Sequence, residues 1–198
     1  AELLRPRKNV GCRCHRHDLC ANPANPAGRA WPERVSAMRL DIVAIGQMRG
    51  TSEEDLVDTY CDRALKAGRQ IAVDGPYISE IKERKGRTGS AKQREESALL
   101  QTALDARSGV VVMLDETGKQ MTSRGFARQI SDWQDKGMAQ ASFVIGGADG
   151  LTDALRARAD VTVSLGQMTW PHMLARALLC EQIWRAISIL TNHPYHRD

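Results

Sequence analysis

Gly109–Asp115 reads GVVVMLD, and this run decides the fold. From Val110 to Leu114 every residue is apolar, and three in succession are β-branched. A strand with one wet face alternates apolar and polar residues. An unbroken apolar run of this length predicts a strand covered on both faces, the signature of a parallel sheet. The neighbouring segments repeat the pattern. LDIVAIG (Leu40–Gly46) lies upstream, and ASFVIGG (141–147) and VTVSLG (161–166) lie downstream. Between the runs the period changes from two to about 3.6. TSEEDLVDTYCDRALKAG predicts a helix with Ser52 as N-cap, acids in its first turn and Gly68 as its stop. QIAVDGPYISEI follows as a looser extended stretch. Another helix is expected from Ser90, with Leu99, Leu100, Ala103 and Leu104 on one face. ETGKQ is expected to turn the chain. TSRGFARQISDWQDKG places Phe126, Ile130 and Trp133 on one stripe. LTDALRARA reads as a short helix, and a final helix is expected from about Pro171 to Leu190. Strand–helix alternation of this kind predicts an α/β fold, a mostly parallel sheet flanked by helices.

Ligands of such sheets bind beyond the carboxyl ends of the strands. There the sequence places LDETG, IGGADG and SLGQMTWPH, three successive strand ends with glycine-containing loops. One such loop is ordinary turn chemistry; three in succession predict a ligand cradle. The usual anion-binding devices are missing. There is no GxxxxGK[ST], IGGADG is not GxGxxG, and no HExxH or GxSxG occurs. The expected ligand is therefore held by loop backbone and apolar contacts.

The first 37 residues differ from the rest. They carry seven Lys/Arg against three Asp/Glu, which accounts for the whole net charge of +4 and leaves residues 38–198 balanced. Bulk charge in the body does not advertise nucleic acid. GCRCHRHDLC groups Cys12, Cys14, His15, His17 and Cys20, all acceptable to zinc, but without the separation of paired zinc knuckles. The surrounding Pro/Ala/Asn-rich stretch has no periodic apolar face, so residues 1–37 are expected to be a disordered extension preceding a domain of residues 38–198. A natural start at Met38 would leave that domain alone. Cys61 and Cys180 fall in helical patterns and read as reduced core thiols. No secretory signal or bilayer span is read, and the expected location is cytoplasmic. KERKGRTGSAKQR crowds Lys82, Arg84, Lys85, Arg87, Lys92 and Arg94 into one loop. This is either a solvated charge run or a local RNA-docking patch.

FVIGGADG, SLGQMTWPHMLAR and EQIWRAISILTNHPYHR together resemble the small SPOUT-class methyltransferases that act on N3 of a pseudouridine in large-subunit ribosomal RNA. The resemblance runs from Met38 to the end and leaves residues 1–37 without a counterpart. It implies a C-terminal trefoil knot, a homodimer, S-adenosylmethionine as cofactor and ribosomal RNA as partner, within the assembled ribosome. It also implies cofactor contacts at Leu114, Gly146, Gly147, Leu165, Gly166, Gln167, Met168, Thr169 and Trp170, with no metal. The N3 atom of the base bears a proton that must be removed. His172 and His196 are the candidate bases. Tyr195 is expected to orient or stack on the base, and Arg197 to pair with a carbonyl or phosphate. The plainer alternative for the NHPYHR tail is a solvated terminus. Arg176 and Glu181 read as solvent-side or interface charges of the last helix. Two other functions compete: a Rossmann-like oxidoreductase, and a non-catalytic zinc or nucleic-acid module built on the N-terminal Cys/His cluster.

Overall fold

The computed structural model of the chain describes residues 4–6, 37–84, 86 and 88–197. The N-terminal Cys/His cluster, Lys85 and Arg87 lie outside the described residues. The strands are β1 (Leu4–Pro6), β2 (Met38–Ile45), β3 (Val73–Ile81), β4 (Val110–Gln120), β5 (Gln140–Ile145) and β6 (Val161–Ser164). The helices are α1 (Ser52–Gly68), α2 (Gly89–Asp105), α3 (Ser123–Asp135), α4 (Asp153–Arg156) and α5 (His172–Leu190). The sheet order is β1-β3-β2-β5-β4-β6. The last five strands in that order pair in parallel, and β1 adds an antiparallel edge to β3. Of the expected N-terminal extension, Leu4–Pro6 are therefore seen as part of the sheet.

The side-chain alternation of each strand divides the core into two layers. Leu40, Ile42, Val112 and Phe143 pack with α1, α3 and α5 on one face. Val43, Met113 and Val144 pack with α2 and α4 on the other. This explains the unbroken apolar runs, since neither face of β2, β4 or β5 meets water. Phe143 sits at the centre of the first layer, edge-on to Phe126 at a centroid distance of 5.9 Å and tilted against Trp133 at 6.4 Å. Cys61 and Cys180 are free and buried, with their sulfurs 3.7 Å apart across the α1–α5 contact.

Two local readings change. Thr51, not Ser52, caps α1, because its side-chain oxygen accepts from the Glu54 N–H. ETGKQ does not simply turn the chain. β4 pairs with β6 at Leu114↔Val163, bulges outward, and pairs again at Lys119↔Val163. The bulge closes on glycine: a Cβ at Gly118 would lie 2.6 Å from the Val163 carbonyl carbon and 2.9 Å from the Ser164 nitrogen.

The largest correction concerns Arg176. It is fully buried, not at a solvent or interface side. Its guanidinium donates to Glu80 Oε1 at 2.8 Å and to the carbonyls of Ile45 (2.9 Å) and Gly46 (3.1 Å). Glu80 Oε1 also accepts from the Met48 N–H at 3.0 Å. The pair thus locks the first turn of α5 to the ends of β2 and β3. Removing one partner strands a buried charge, which costs about 3–5 kcal/mol against a typical total stability of about 5–15 kcal/mol. Arg176→Met is expected to lower the unfolding free energy by that amount, read as a lower urea midpoint at unchanged slope. Adding Glu80→Leu should restore part of the loss. Full additivity of the two single losses in that double-mutant cycle would contradict a coupled pair.

Candidate functional site

β5, β4 and β6 are adjacent, and the loops following their carboxyl ends meet in one cleft of about 770 Å³. A cavity of this size suits a small-molecule cofactor. Leu114, Gly146, Gly147, Leu165, Gly166, Met168, Thr169, Trp170 and His172 all line it. Gln167 does not: it occupies an exposed position between Gly166 and Met168, outside the lining. Tyr195, His196 and Arg197 do not line it either.

Each loop is held locally. Ser164 Oγ donates to the Gly166 carbonyl (2.8 Å) and accepts from its N–H (3.1 Å), which fixes a turn at Gly166, φ +133°. The IGGADG loop closes through the Gly150 N–H to the Gly147 carbonyl, 3.0 Å. It is braced from α2, where Gln93 Nε2 donates to the carbonyls of Asp149 (3.0 Å) and Leu151 (3.2 Å). The Thr152 N–H donates to Ser97 Oγ at 3.1 Å. Behind the loop stands Glu96, buried, where a Cβ on Gly147 would meet its Oε2 at 2.4 Å. Burial raises the Glu96 carboxyl above the usual carboxylate range. Lys92, expected in the docking patch, is also buried here and pairs with Glu83 and Asp149. Lys82, Arg84 and Arg94 are exposed.

The cleft is acidic. Asp115, Glu116 and Asp149 line it, and Arg156 is the cation among its described lining residues. Burial pushes the Asp115 carboxyl up, but donation from the Thr117 hydroxyl and N–H and from Arg156 outweighs burial and leaves it below the usual range. Asp115 is therefore ionised near neutral pH. Arg156 Nε holds it at 2.8 Å, and the same guanidinium reaches Asp153 at 3.1 Å. The apolar part of the wall comes from Leu114, Ile145, Val163 and Leu165.

His172 opens α5 at the edge of the cleft. Its Nε2 is buried and has no hydrogen-bond partner among the described residues. Burial lowers its pKa first, and the charge of Arg176 lowers it further. The imidazole is held neutral, with a nitrogen left to accept.

The tail docks at the other end of α5. The Tyr195 hydroxyl donates to Glu181 Oε1 at 3.0 Å, and its ring packs on Trp184 at 5.4 Å and under the Arg185 guanidinium at 4.9 Å. His193 meets Trp184 edge-on at 5.1 Å. Glu181, read as a solvent or interface charge, is half-buried and gathers Arg185, Gln182 and Tyr195. Sequence reasoning missed Asp115, Arg156 and the α2 braces. The acids stand within or beside the glycine loops and were readable there. The braces are not, because nothing local ties Gln93 or Glu96 to a loop more than fifty residues away.

Residues 38–196 match the family described as "Predicted SPOUT methyltransferase". The "Ribosomal RNA large subunit methyltransferase H" of Rhizobium etli is 42% identical over 160 residues, which covers 81% of this chain and 99% of that protein. The protein of the same name from Rhodopseudomonas palustris is 44% identical over 160 residues, with the same coverage. That from Brucella anthropi is 42% identical over 161 residues, covering 81% of this chain and all of the relative. With a glycine-braced cleft at the ends of three adjacent parallel strands and a family match along the whole body, this chain belongs to the SPOUT methyltransferase family.

Proposed function

We propose that this chain transfers a methyl group from S-adenosylmethionine to N3 of a pseudouridine in large-subunit ribosomal RNA, as a cytoplasmic homodimer acting on the ribosome. Residues 38–198 form the methyltransferase domain in this reading. The observation that carries it is the charge of the cleft. Asp115, Glu116 and Asp149 outnumber Arg156 in its lining, and this suits a ligand that bears a sulfonium and an ammonium but only one carboxylate. The glycine loops let backbone approach the ligand, and Leu114, Val163 and Leu165 offer the apolar slot an adenine needs. S-adenosylmethionine, when bound, supplies an electrophilic methyl carbon. The names of the relatives supply the substrate class.

The chain's own groups then have defined tasks. His172, held neutral in the lining of the cleft, accepts the N3 proton of the incoming base; its Nε2 is buried against Gly46 in this structure, so the imidazole turns toward the cleft to do so. His196 and Arg197 hold the base and its phosphate from the tail, and Tyr195, whose hydroxyl and ring are engaged by Glu181 and Trp184 of its own chain, roots them. Within one chain they cannot reach the same atoms as His172. Tyr195 is anchored at Glu181 and Trp184, and Trp184 lies twelve residues along α5 from His172, about 18 Å at 1.5 Å per residue. The tail must therefore serve the cleft of a second copy. Met168 (72% exposed) and Trp170 (39% exposed) give the mouth of the cleft an apolar rim for that copy to cover. A trefoil knot in the C-terminal half of the chain belongs to the same reading.

Incubation with labelled S-adenosylmethionine and either naked large-subunit RNA or whole ribosomes, followed by mapping of the modified nucleotide, tests the proposal. Label at N3 of one pseudouridine is expected, and its absence from both substrates overturns the reading. Gly146→Val is expected to weaken cofactor binding at least tenfold, about 1.4 kcal/mol, because a Cβ there would lie 2.9 Å from the Leu151 side chain and displace the loop that lines the cleft. Calorimetry checks this. Arg197→Ala should leave cofactor affinity unchanged and slow methyl transfer at least about tenfold. The neutral His172 also predicts a pH effect on stability. Its folded pKa lies below the ordinary value of 6.5, so the unfolded chain binds the proton first as pH falls. The contribution is present above 6.5 and is lost as pH drops through the folded value. Between about pH 7 and pH 5 the urea midpoint should fall more in the natural protein than in His172→Gln.

A further inference from the structure

A second cleft, of about 400 Å³, lies at the tail end of α5, apart from the cofactor cleft. Its lining is Arg63, Lys66, Ala67 and Gln70 from α1 and the turn after it, Trp184 from α5, and His193 and Tyr195 from the tail. Ala67 and Trp184 are buried and make the floor, while Arg63, Lys66, Gln70 and His193 are exposed and make the rim. Its polarity is the reverse of the first cleft. Two cations line it, and no carboxylate does so among the described residues. Neither Arg63 nor Lys66 has an ion-pair partner among the described residues; Arg63 lies only over the Tyr60 ring, at 6.0 Å. Glu181, beside the Tyr195 wall of the cleft, is taken up by Arg185 and the Tyr195 hydroxyl. Three aromatic rings converge on this small volume, and the buried indole N–H of Trp184 has no acceptor among the described residues.

Aromatic walls with unpaired cations at the rim are the chemistry that recognises an unstacked nucleotide. The rings take the base, and the cations take the phosphates on either side. We propose that this cleft binds a second RNA nucleotide, one flanking the nucleotide that is methylated. The inference rests on the RNA-methyltransferase reading and names a further part of its substrate site. Tyr195 joins the two: its ring walls the flanking-nucleotide cleft, and the residues directly after it form the end of the tail. RNA seated in this cleft therefore fixes the tail as well. The Arg63, Lys66 and Gln70 positions recur at spacings of three and four, so a single helical face presents the whole phosphate contact.

The test uses the full chain and a labelled single-stranded oligouridylate of about ten nucleotides, within the range such sites span. Arg63→Gln/Lys66→Gln is expected to weaken binding at least tenfold. It should also flatten the dependence of log affinity on log salt by about 1.4, at about 0.7 for each lost single-strand phosphate contact. Its affinity for S-adenosylmethionine should not change. His193→Ala, at an exposed position, should weaken the oligouridylate and spare an abasic oligomer of equal length. Wild-type affinity in the double variant overturns the inference, as does failure of the natural protein to bind the oligouridylate. Equal loss for both oligomers in His193→Ala overturns it by leaving only a polyanion patch. Equal binding of polyaspartate by the natural protein overturns it in favour of an acidic peptide. These results leave the methyltransferase reading standing if the natural protein still binds cofactor and labels ribosomal RNA; loss of both defeats that reading, whatever the variants do.

Discussion

The buried Arg176–Glu80 pair is the constraint on which the rest of the site depends. A guanidinium taken wholly out of water is tolerable only if its donors find acceptors, and here they find a carboxylate and two strand-end carbonyls. Those carbonyls belong to Ile45 and Gly46, where β2 leaves the sheet. The pair therefore sets the height of α5 against the carboxyl edge of the sheet. His172, one turn earlier, is placed at the cleft by the same bonds. A Cβ on Gly46 would meet His172 Nε2 at 3.0 Å and the Met173 methyl at 2.7 Å, so the strand end and the helix start fit only with glycine between them. The charge of Arg176 also helps to keep His172 neutral. One ion pair thus serves packing, position and protonation state together.

Much of the fold was legible because both faces of the sheet are covered. Continuous apolar runs at Gly109–Asp115 and in its neighbours fit strands buried on both sides and little else, and the three glycine loops follow from where those runs stop. The order of β5, β4 and β6 then brings those loops together. What escaped was long-range. Arg176 looked like a surface charge because a charged residue on an apolar helix usually is one, and its partner lies 96 positions away. Lys92 looked like part of a basic loop, yet Glu83 and Asp149 draw it inward. The bulge of β4 could not be read from ETGKQ, since a turn and a bulge use the same residues. At the site, the cradle was readable and its sign was not weighed: Asp115, Glu116 and Asp149 stand within the quoted motifs, but their convergence needs the sheet.

α5 carries two clefts of opposite sign, one at each end. The acidic one, beside its first turn, fits a cationic cofactor. The basic and aromatic one, beside its last turns, fits an anionic, planar ligand. A methyl donor and a nucleic acid are just such a pair of charges. His172 and Trp184, which line the two clefts, stand about 18 Å apart along the helix, more than a Debye length at physiological salt, so solvent screens one field from the other. The arrangement also sorts the polar groups of the tail. Tyr195 is spent on anchoring: burial and its bond to Glu181 raise its hydroxyl above the ordinary phenol range, so it stays protonated and donates.

That division bears on how the proposed reaction is assembled. A group that removes a proton must lie within hydrogen-bond reach of it, and only His172 among the candidate bases stands in the cofactor cleft of its own chain. Arg197 is exposed two residues beyond the Tyr195 anchor, so it has a short tether and a fixed root. A short tether with a fixed root raises the effective concentration of the arginine near whatever surface faces it, and does nothing for a surface it cannot span. The cleft of the same chain is such an unreachable surface, and for that reason the proposed reaction turns to the cleft of a second copy. Activity in this reading therefore requires two chains, because neither alone places a neutral base and a cationic clamp on one nucleotide.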